Sequence, residues 1–252
     1  MPSEVEGKLI ITTDAERVYE AIAHLDAIGG CHVAHREVEL LSDAYFDAPA
    51  RPLFAAGLAL RVRSLNGREL LTIKGKSRVQ DGVTSREELE VEWSPEGLDE
   101  VMETLTQAGV SLDDVETARQ AASAHEAIEA LGFAANTPRR NRRVALTLVR
   151  AGEVVAELDV DAVSFTVAGR LVRHYEVECE AKGAGDAAVL RAVLDELRSR
   201  HEGLRASSVS KLALGEALES LAQDGDLEAL LEGERLRPDA YDTIERRAYG
   251  SL

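Results

Sequence analysis

The sequence predicts an α+β fold in which an antiparallel sheet has one apolar face and one densely charged face. Three observations predict it. Segments of strict alternation recur along the chain, with Val, Leu or Ile at every second position opposing Glu, Arg or Lys, the period-two signature of a half-buried strand. Two of these segments are joined by Asn66-Gly67, a two-residue hairpin signal that makes neighbours antiparallel. Between the strands lie stretches with apolar residues at helical spacing, bounded by helix start and stop residues.

The first strand is Glu4-Val5-Glu6-Gly7-Lys8-Leu9-Ile10-Ile11, with Glu4, Glu6 and Lys8 on one face and Val5 and Leu9 on the other. Its two carboxylates are then roughly 7 Å apart, close enough to share a cation. Thr13-Asp14-Ala15-Glu16 predicts a capping box with Thr13 as N-cap, opening a helix through Val18, Ala21, Ile22 and Leu25 that Gly29-Gly30 ends. Residues 36–47 form a second strand, and residues 48–57, with two prolines, a connection with a short helical turn. In Leu58-Ala59-Leu60-Arg61-Val62-Arg63 the apolar residues oppose Arg61 and Arg63. After the hairpin turn, Leu71 and Ile73 oppose Thr72, Lys74 and Lys76. A loop at Asp81-Gly82 leads to a strand in which Arg86, Glu88, Glu90 and Glu92 share a face opposite Leu89 and Val91.

Ser94-Pro95-Glu96 then starts a helix, with proline at its first position. Residues 96–108, 112–122 and 124–131 are helical, stopped by Gly109 and Gly132, and this insertion at about 95–132 carries no chemistry of its own. Strands resume at 139–146, at 154–161 with Glu157, Asp159 and Asp161 in phase, and at 175–180 with Glu176, Glu178 and Glu180 opposing Val177 and Cys179. Asp186 N-caps a helix to about Arg200, and Ser210-Lys211 leads into a last amphipathic helix. The tail, 216–252, is expected to be acidic, helical or disordered, and peripheral.

Composition excludes several classes. A chain of 252 residues with 45% hydrophobic residues has the length for a proper core. A net charge of −17 argues against a nucleic-acid surface. No apolar run reaches a membrane span and no basic-then-apolar leader opens the chain, so no membrane association and a cytoplasmic location are expected. Cys31 and Cys179 show no ligand spacing and are expected to be small buried hydrophobes. Neither of the two common glycine-rich phosphate loops is present. The six histidines, His174 among them, show no ligand spacing and are expected at the surface or core edge, and Trp93 in packing. Only five of the 29 basic residues are lysines, and most of these lie in the strand-like segments.

Two pictures fit the alternation. An open sheet could show its charges to solvent, or the sheet could close so that the charged face lines a tunnel. A resemblance decides between them. Glu4-x-Glu6-x-Lys8 resembles the signature of the CYTH superfamily, the triphosphate tunnel metalloenzymes. The similarity continues through Tyr45-Phe46-Asp47, Leu60-Arg61-Val62-Arg63, Thr72-Ile73-Lys74-Gly75-Lys76, Arg86-Glu87-Glu88-Leu89-Glu90, Arg140-x-Arg142, Asp159, Glu176-x-Glu178 and Ser210-Lys211. These motifs follow the family's order over about residues 4–215.

The resemblance implies a closed antiparallel β tunnel of about eight strands with a hydrophilic interior and helices packed outside, acting on a triphosphate-containing small molecule with Mg²⁺ or Mn²⁺. It places Glu4, Glu6 and Glu178 nearest the metal, with Glu176 and Asp159 as further acidic partners. Arg61, Arg63, Lys74, Lys76, Arg86, Arg140, Arg142 and Lys211 become the phosphate-gripping set, and Lys8, Glu88 and Glu90 catalytic or positioning groups of the lumen. Gly7 departs from the family's usual aliphatic residue and, pointing outward, is expected to weaken helix packing. An all-oxygen ligand set suits a hard divalent cation rather than zinc. The leading expectation is metal-dependent hydrolysis of inorganic triphosphate. The alternatives are a class IV-type adenylate cyclase or thiamine triphosphatase on the same scaffold, and, ranked lower, a non-catalytic polyphosphate or nucleotide-binding module. A nucleoside or thiamine needs a stacking pocket, and aromatic residues make up only 4% of the chain.

Overall fold

The computed structural model describes residues 3–80 and 82–250; Asp81 of the expected Asp81-Gly82 loop lies outside them. Eight strands form the sheet: β1 (Ser3–Ile11), β2 (Cys31–Asp47), β3 (Ala59–Leu65), β4 (Arg68–Lys74), β5 (Val83–Glu92), β6 (Ala134–Arg150), β7 (Glu153–Val167) and β8 (Arg170–Ala181). The helices are α1 (Ala15–Ala23), α2 (Pro52–Ala56), α3 (Pro95–Gln107), α4 (Val115–Arg119), α5 (Ala124–Ala130), α6 (Ala187–Arg200), α7 (Lys211–Gln223) and α8 (Ala240–Gly250). Strand order runs β1-β5-β4-β3-β2-β6-β7-β8, and β8 pairs back onto β1. The sheet is a closed antiparallel eight-strand barrel, so none of the eight is left with an unpaired edge. Short strands at Ala27–Ile28, Arg78–Gln80 and Leu204–Ala206 add to β2, β5 and β1. The chain divides into two compact units.

The first unit holds residues 40–78 and 86–138. Its β3–β4 hairpin turns at Asn66 and Gly67, whose φ angles of 50° and 87° are the positive values that such a turn demands. Leu60, Val62, Leu71 and Ile73 are fully buried on one face, packed with Leu98, Val101 and Leu105 of α3 and Ile128 of α5. The Ser94 side chain accepts from the Gly97 N–H, with Pro95 opening α3, and Asp114 and Ser123 cap α4 and α5 in the same way. The expected helical insertion is therefore the cover of this unit's apolar face. Trp93 is partly buried against the same cluster.

The second unit holds residues 4–39, 79–85 and 139–250 of the described chain. Here β6, β7, β8 and β1 turn Leu146, Leu158, Val160, Val177, Cys179 and Leu9 toward α1 and α6. Gly7 lies on that side. A Cβ there would stand 2.3 Å from Leu194 Cδ1, so the glycine admits α6 rather than weakening its packing. Cys31 and Cys179 are buried free thiols, as the sequence predicts.

Two local expectations change. The α1 N-cap is Asp14, in the left-handed region at φ 47° and without a side-chain cap bond, not Thr13. The helix stops at Ala23, and Gly29-Gly30 instead turns Ala27–Ile28 back onto Cys31 and His32. The tail changes more. Leu218, Leu221, Leu227, Leu236, Ala240, Tyr241 and Ile244 are buried in a third cluster with Ile10, Val163, Phe165, Val167 and Val172. The chain after residue 215 is thus core-forming, with α8 as its last helix. Among the described residues no helix is long and apolar enough to cross a membrane.

Candidate active site

In the first unit the charged face is built by pairing register. Asp43 lies opposite Arg63, Tyr45 opposite Arg61, Arg61 opposite Thr72, Thr72 opposite Glu90, and Lys74 opposite Glu88. Arg63 donates to both oxygens of Asp43, Nε to Oδ1 at 2.8 Å and Nη2 to Oδ2 at 3.0 Å, the two-pronged geometry that fixes a guanidinium most rigidly. Arg61 Nη2 donates to Thr72 Oγ1 and to Glu90 Oε2, each at 3.0 Å, and the Thr72 hydroxyl donates to Glu90 at 2.9 Å. Lys74 Nζ is 2.9 Å from Glu88 Oε2. Burial works to raise Glu90, but Arg61 and Arg63 outweigh it and hold the carboxyl below its usual range. Glu88 and Glu90 are thus seated on the basic residues of their own unit.

In the second unit four carboxylates and three cations interleave on the face away from α1 and α6. Lys8 Nζ is 2.9 Å from Glu178 Oε1 and 3.3 Å from Glu176 Oε1. Arg143 grips Asp161 through Nε at 2.8 Å and Nη2 at 2.9 Å, reaches Glu178 at 3.2 Å, and pairs with Asp159. Lys211, the first residue of α7 after its Ser210 N-cap, places Nζ 2.9 Å from Asp161 and 2.7 Å from Glu178 and also contacts Glu176. Asp161, Glu176 and Lys211 are nearly inaccessible to solvent, and Glu178 is partly exposed. Burial pushes Glu178 upward, yet Lys211, Lys8 and Arg143 hold it well below the usual range, and Glu176 is lowered in the same way. Burial works to lower Lys211, and the carboxylates raise it instead. Asp159 goes the other way: burial, against Arg143, leaves it well above the usual range.

Oxygens of Asp161, Glu176 and Glu178 lie within 4.8 Å of one another, an all-oxygen set of the kind a hard divalent cation takes. Asp159 Oδ1 is buried and has no hydrogen-bond partner among the described residues, the state of an oxygen offered to a ligand. The residues present fit a divalent cation.

The expected residues are distributed as follows. Lys8, Asp159, Glu176, Glu178 and Lys211 meet in the second unit's cluster, with Glu6 buried on the same strand face as Lys8 and within its electrostatic reach. Glu4 is half-buried on β1, close enough to Glu180 to help raise it. Arg61, Arg63, Lys74, Glu88 and Glu90 meet in the first unit, and Arg86 is half-buried on β5. Lys76 is exposed beyond the end of β4, its stem over Gly57. Arg140 and Arg142 fall on the wrong face. Both are exposed, and Arg142 Nη1 donates to the Tyr19 hydroxyl of α1 at 2.6 Å. A strand face is set by register, and one residue of slip exchanges the faces; here the acidic side receives Arg139, Asn141 and Arg143. Asn141 is buried and its amide has no partner among the described residues.

Sequence reasoning also missed Asp43, the anchor of Arg63, and placed His174 at the surface or core edge. His174 is 1% exposed and hydrogen-bonds Glu176. The available signal was its spacing, two residues before Glu176 on the same strand face.

Comparison with known proteins agrees with this architecture. The CYTH domain family model matches residues 3–215. Among solved structures, a candidate adenylyl cyclase from Hippeastrum, for which a dominant triphosphatase activity is described, is 21% identical with a TM-score of 0.57, covering 85% of this chain and 95% of that one. A candidate adenylate cyclase from Bacillus halodurans is 15% identical with a TM-score of 0.53, covering 84% and 97%. At these identities the likeness is one of fold.

Proposed function

This chain belongs to the CYTH family, whose members act on triphosphate-containing substrates with a divalent cation, and we propose that it hydrolyses inorganic triphosphate. One observation carries the reading: Lys8, Arg143 and Lys211 interleaved with Asp159, Asp161, Glu176 and Glu178 on rigid strands and a helix start. Such a site offers cation ligands and phosphate ligands within a few ångströms of each other. A cation-free polyphosphate sensor needs only the second kind.

Glu176, Glu178, Asp159 and Asp161 are the carboxylates proposed to hold Mg²⁺ or Mn²⁺, with Glu4 and Glu6 completing the acidic set. When bound, the cation neutralises and orients phosphoryl oxygens. Lys8, Lys211 and Arg143 bind phosphoryl oxygens and stabilise the charge that develops on them, and Arg61, Arg63, Lys74 and Arg86 are proposed for the same task. Arg143 takes the role expected of Arg140 and Arg142, and the Asn141 amide adds a neutral donor. Water attacks the terminal phosphorus, the bridging P–O bond breaks, and phosphate and pyrophosphate leave. Glu4 and Glu6 orient that water and accept its proton. Glu88 and Glu90 hold Lys74 and Arg61 in place through charge-assisted hydrogen bonds. Aromatic residues at 4% leave little material for a base-stacking pocket, which supports an inorganic substrate.

The test is phosphate release from triphosphate, ATP and thiamine triphosphate with Mg²⁺ or Mn²⁺, for wild type and Glu6→Ala. Metal-dependent release from triphosphate, lost in the variant, is expected. Cyclic AMP with pyrophosphate from ATP, or preference for thiamine triphosphate, would transfer the site to an organic substrate. Phosphate ligands bound equally well without divalent metal and never cleaved would make the protein a binding module.

A further inference from the structure

Glu176 is held from two directions. Its Oε1 faces Lys8 and Lys211, while its Oε2 is 2.8 Å from His174 Nε2. His174 Nδ1 is in turn 3.0 Å from the hydroxyl of Tyr241, the second residue of α8, with the two rings 5.6 Å apart and tilted. All three side chains are buried, at 1%, 1% and 4% exposure. A carboxylate between two ammonium groups accepts hydrogen bonds, so Nε2 carries the proton toward Glu176. Nδ1 and the Tyr241 hydroxyl hydrogen-bond each other, so both ring nitrogens of His174 are engaged. The chain ends on the proposed cation ligand.

Tyr241 also lies beyond residue 215, where the match to the family model stops. The α8 side chains Ala240, Tyr241 and Ile244 seat it in the third core cluster, so the hydroxyl is presented by a packed helix rather than a loop.

We propose that Tyr241 and His174 are positioning residues that aim the Glu176 carboxylate, and that the C-terminal segment is thereby a working part of the cation site. This rests on the reading of Glu176 as a cation ligand. Ligating groups act through the hydrogen bonds that orient them, and removing such partners commonly weakens metal affinity about 10- to 100-fold.

The experiment is direct Mn²⁺ binding to the metal-free full-length protein, followed by electron paramagnetic resonance of free Mn²⁺. Wild type is compared with Tyr241→Phe, His174→Ala and the control Ile244→Val. Tyr241→Phe keeps the ring and loses one hydrogen bond, so affinity should fall about fivefold. His174→Ala should lose more, on the order of 10- to 100-fold. Ile244→Val should lower the melting temperature by about 2–4 °C and leave Mn²⁺ affinity unchanged. In the kinetics, both positioning variants should need more Mn²⁺ for half-maximal rate while keeping kcat at saturating metal within a factor of a few.

Unchanged Mn²⁺ affinity in Tyr241→Phe and His174→Ala, beside a wild type that binds Mn²⁺ and cleaves triphosphate, would overturn the relay and leave the proposed function standing. An equal loss in Ile244→Val would overturn it too, by assigning the effect to packing. A wild type that neither binds Mn²⁺ nor cleaves triphosphate would overturn the functional reading and the relay with it.

Discussion

Lys211 ties three carboxylates together, since its ammonium touches Asp161, Glu176 and Glu178 at once. Removing one partner from a buried ionic cluster leaves charge uncompensated and costs about 3–5 kcal/mol. Lys211→Met should therefore lower the melting temperature by roughly 6–20 °C, read by calorimetry, and abolish triphosphate turnover. Titration carries a sign that can be checked. Glu176 and Glu178 are depressed below their usual 4.5, so the stability they add is present above about pH 4.5 and is lost as pH falls through their folded-state values. Lys211 is raised above 10.5, so its share is present below that pH and is lost as pH rises through its folded-state value. Asp159, raised by burial, runs opposite to the glutamates. Urea unfolding should give a broad maximum between about pH 5 and pH 10, and a maximum near pH 3 would contradict the ionised cluster. Most of these residues were legible as single letters. Alternation assigned faces wherever one phase was apolar, as at Arg61 and Arg63 or Glu176 and Glu178. It failed at Arg139-Arg140-Asn141-Arg142-Arg143, where both phases are polar. The apolar phase of Val144, Leu146 and Leu148, carried backward, sends Arg142 and Arg140 to the helix side.

At the scale of elements, helix boundaries with side-chain caps were readable. Asp186 accepts from the Ala188 and Val189 N–H groups and α6 begins where expected, and Ser94 with Pro95 starts α3. The α1 start was not, because Asp14 caps it by backbone conformation alone. The tail was misjudged for a different reason. Its apolar residues are divided among several short segments, so no local pattern shows that Leu218, Leu227, Leu236, Tyr241 and Ile244 converge on Phe165 and Val172. Ending the chain at residue 215 should therefore expose a cluster that the strands cannot cover. The truncated protein is expected to be insoluble or to bind a hydrophobic dye strongly, whereas a soluble, cooperatively melting product would show the segment to be peripheral. Gly7 offers a finer test of the β1–α6 approach. Gly7→Val should cost about 1–3 kcal/mol in urea unfolding, because the added methyls meet Leu194.

For the molecule as a whole, closure depends on partners far apart in the sequence. Lys8 pairs with Glu178 and Leu9 with Val177 across most of the chain. Contacts so far apart in sequence form late and slowly, so refolding should take milliseconds to seconds or longer. Leu9→Ala should destabilise by about 2–5 kcal/mol and act mainly by speeding unfolding, which stopped-flow chevrons would resolve. Closure itself was the feature that period-two pattern could not supply, because an open sheet and a barrel share the same alternation. The ammonium of Lys211 among three carboxylates has one more consequence. Proteins that assemble around a metal commonly unfold when it is stripped, because their acidic ligands then repel one another. Here a tethered positive charge at the start of α7 already balances three of the acidic groups, so folding should proceed without metal. A chelator should silence catalysis while leaving the melting temperature within about 2 °C, and the protein should regain activity on adding Mn²⁺ without any refolding step.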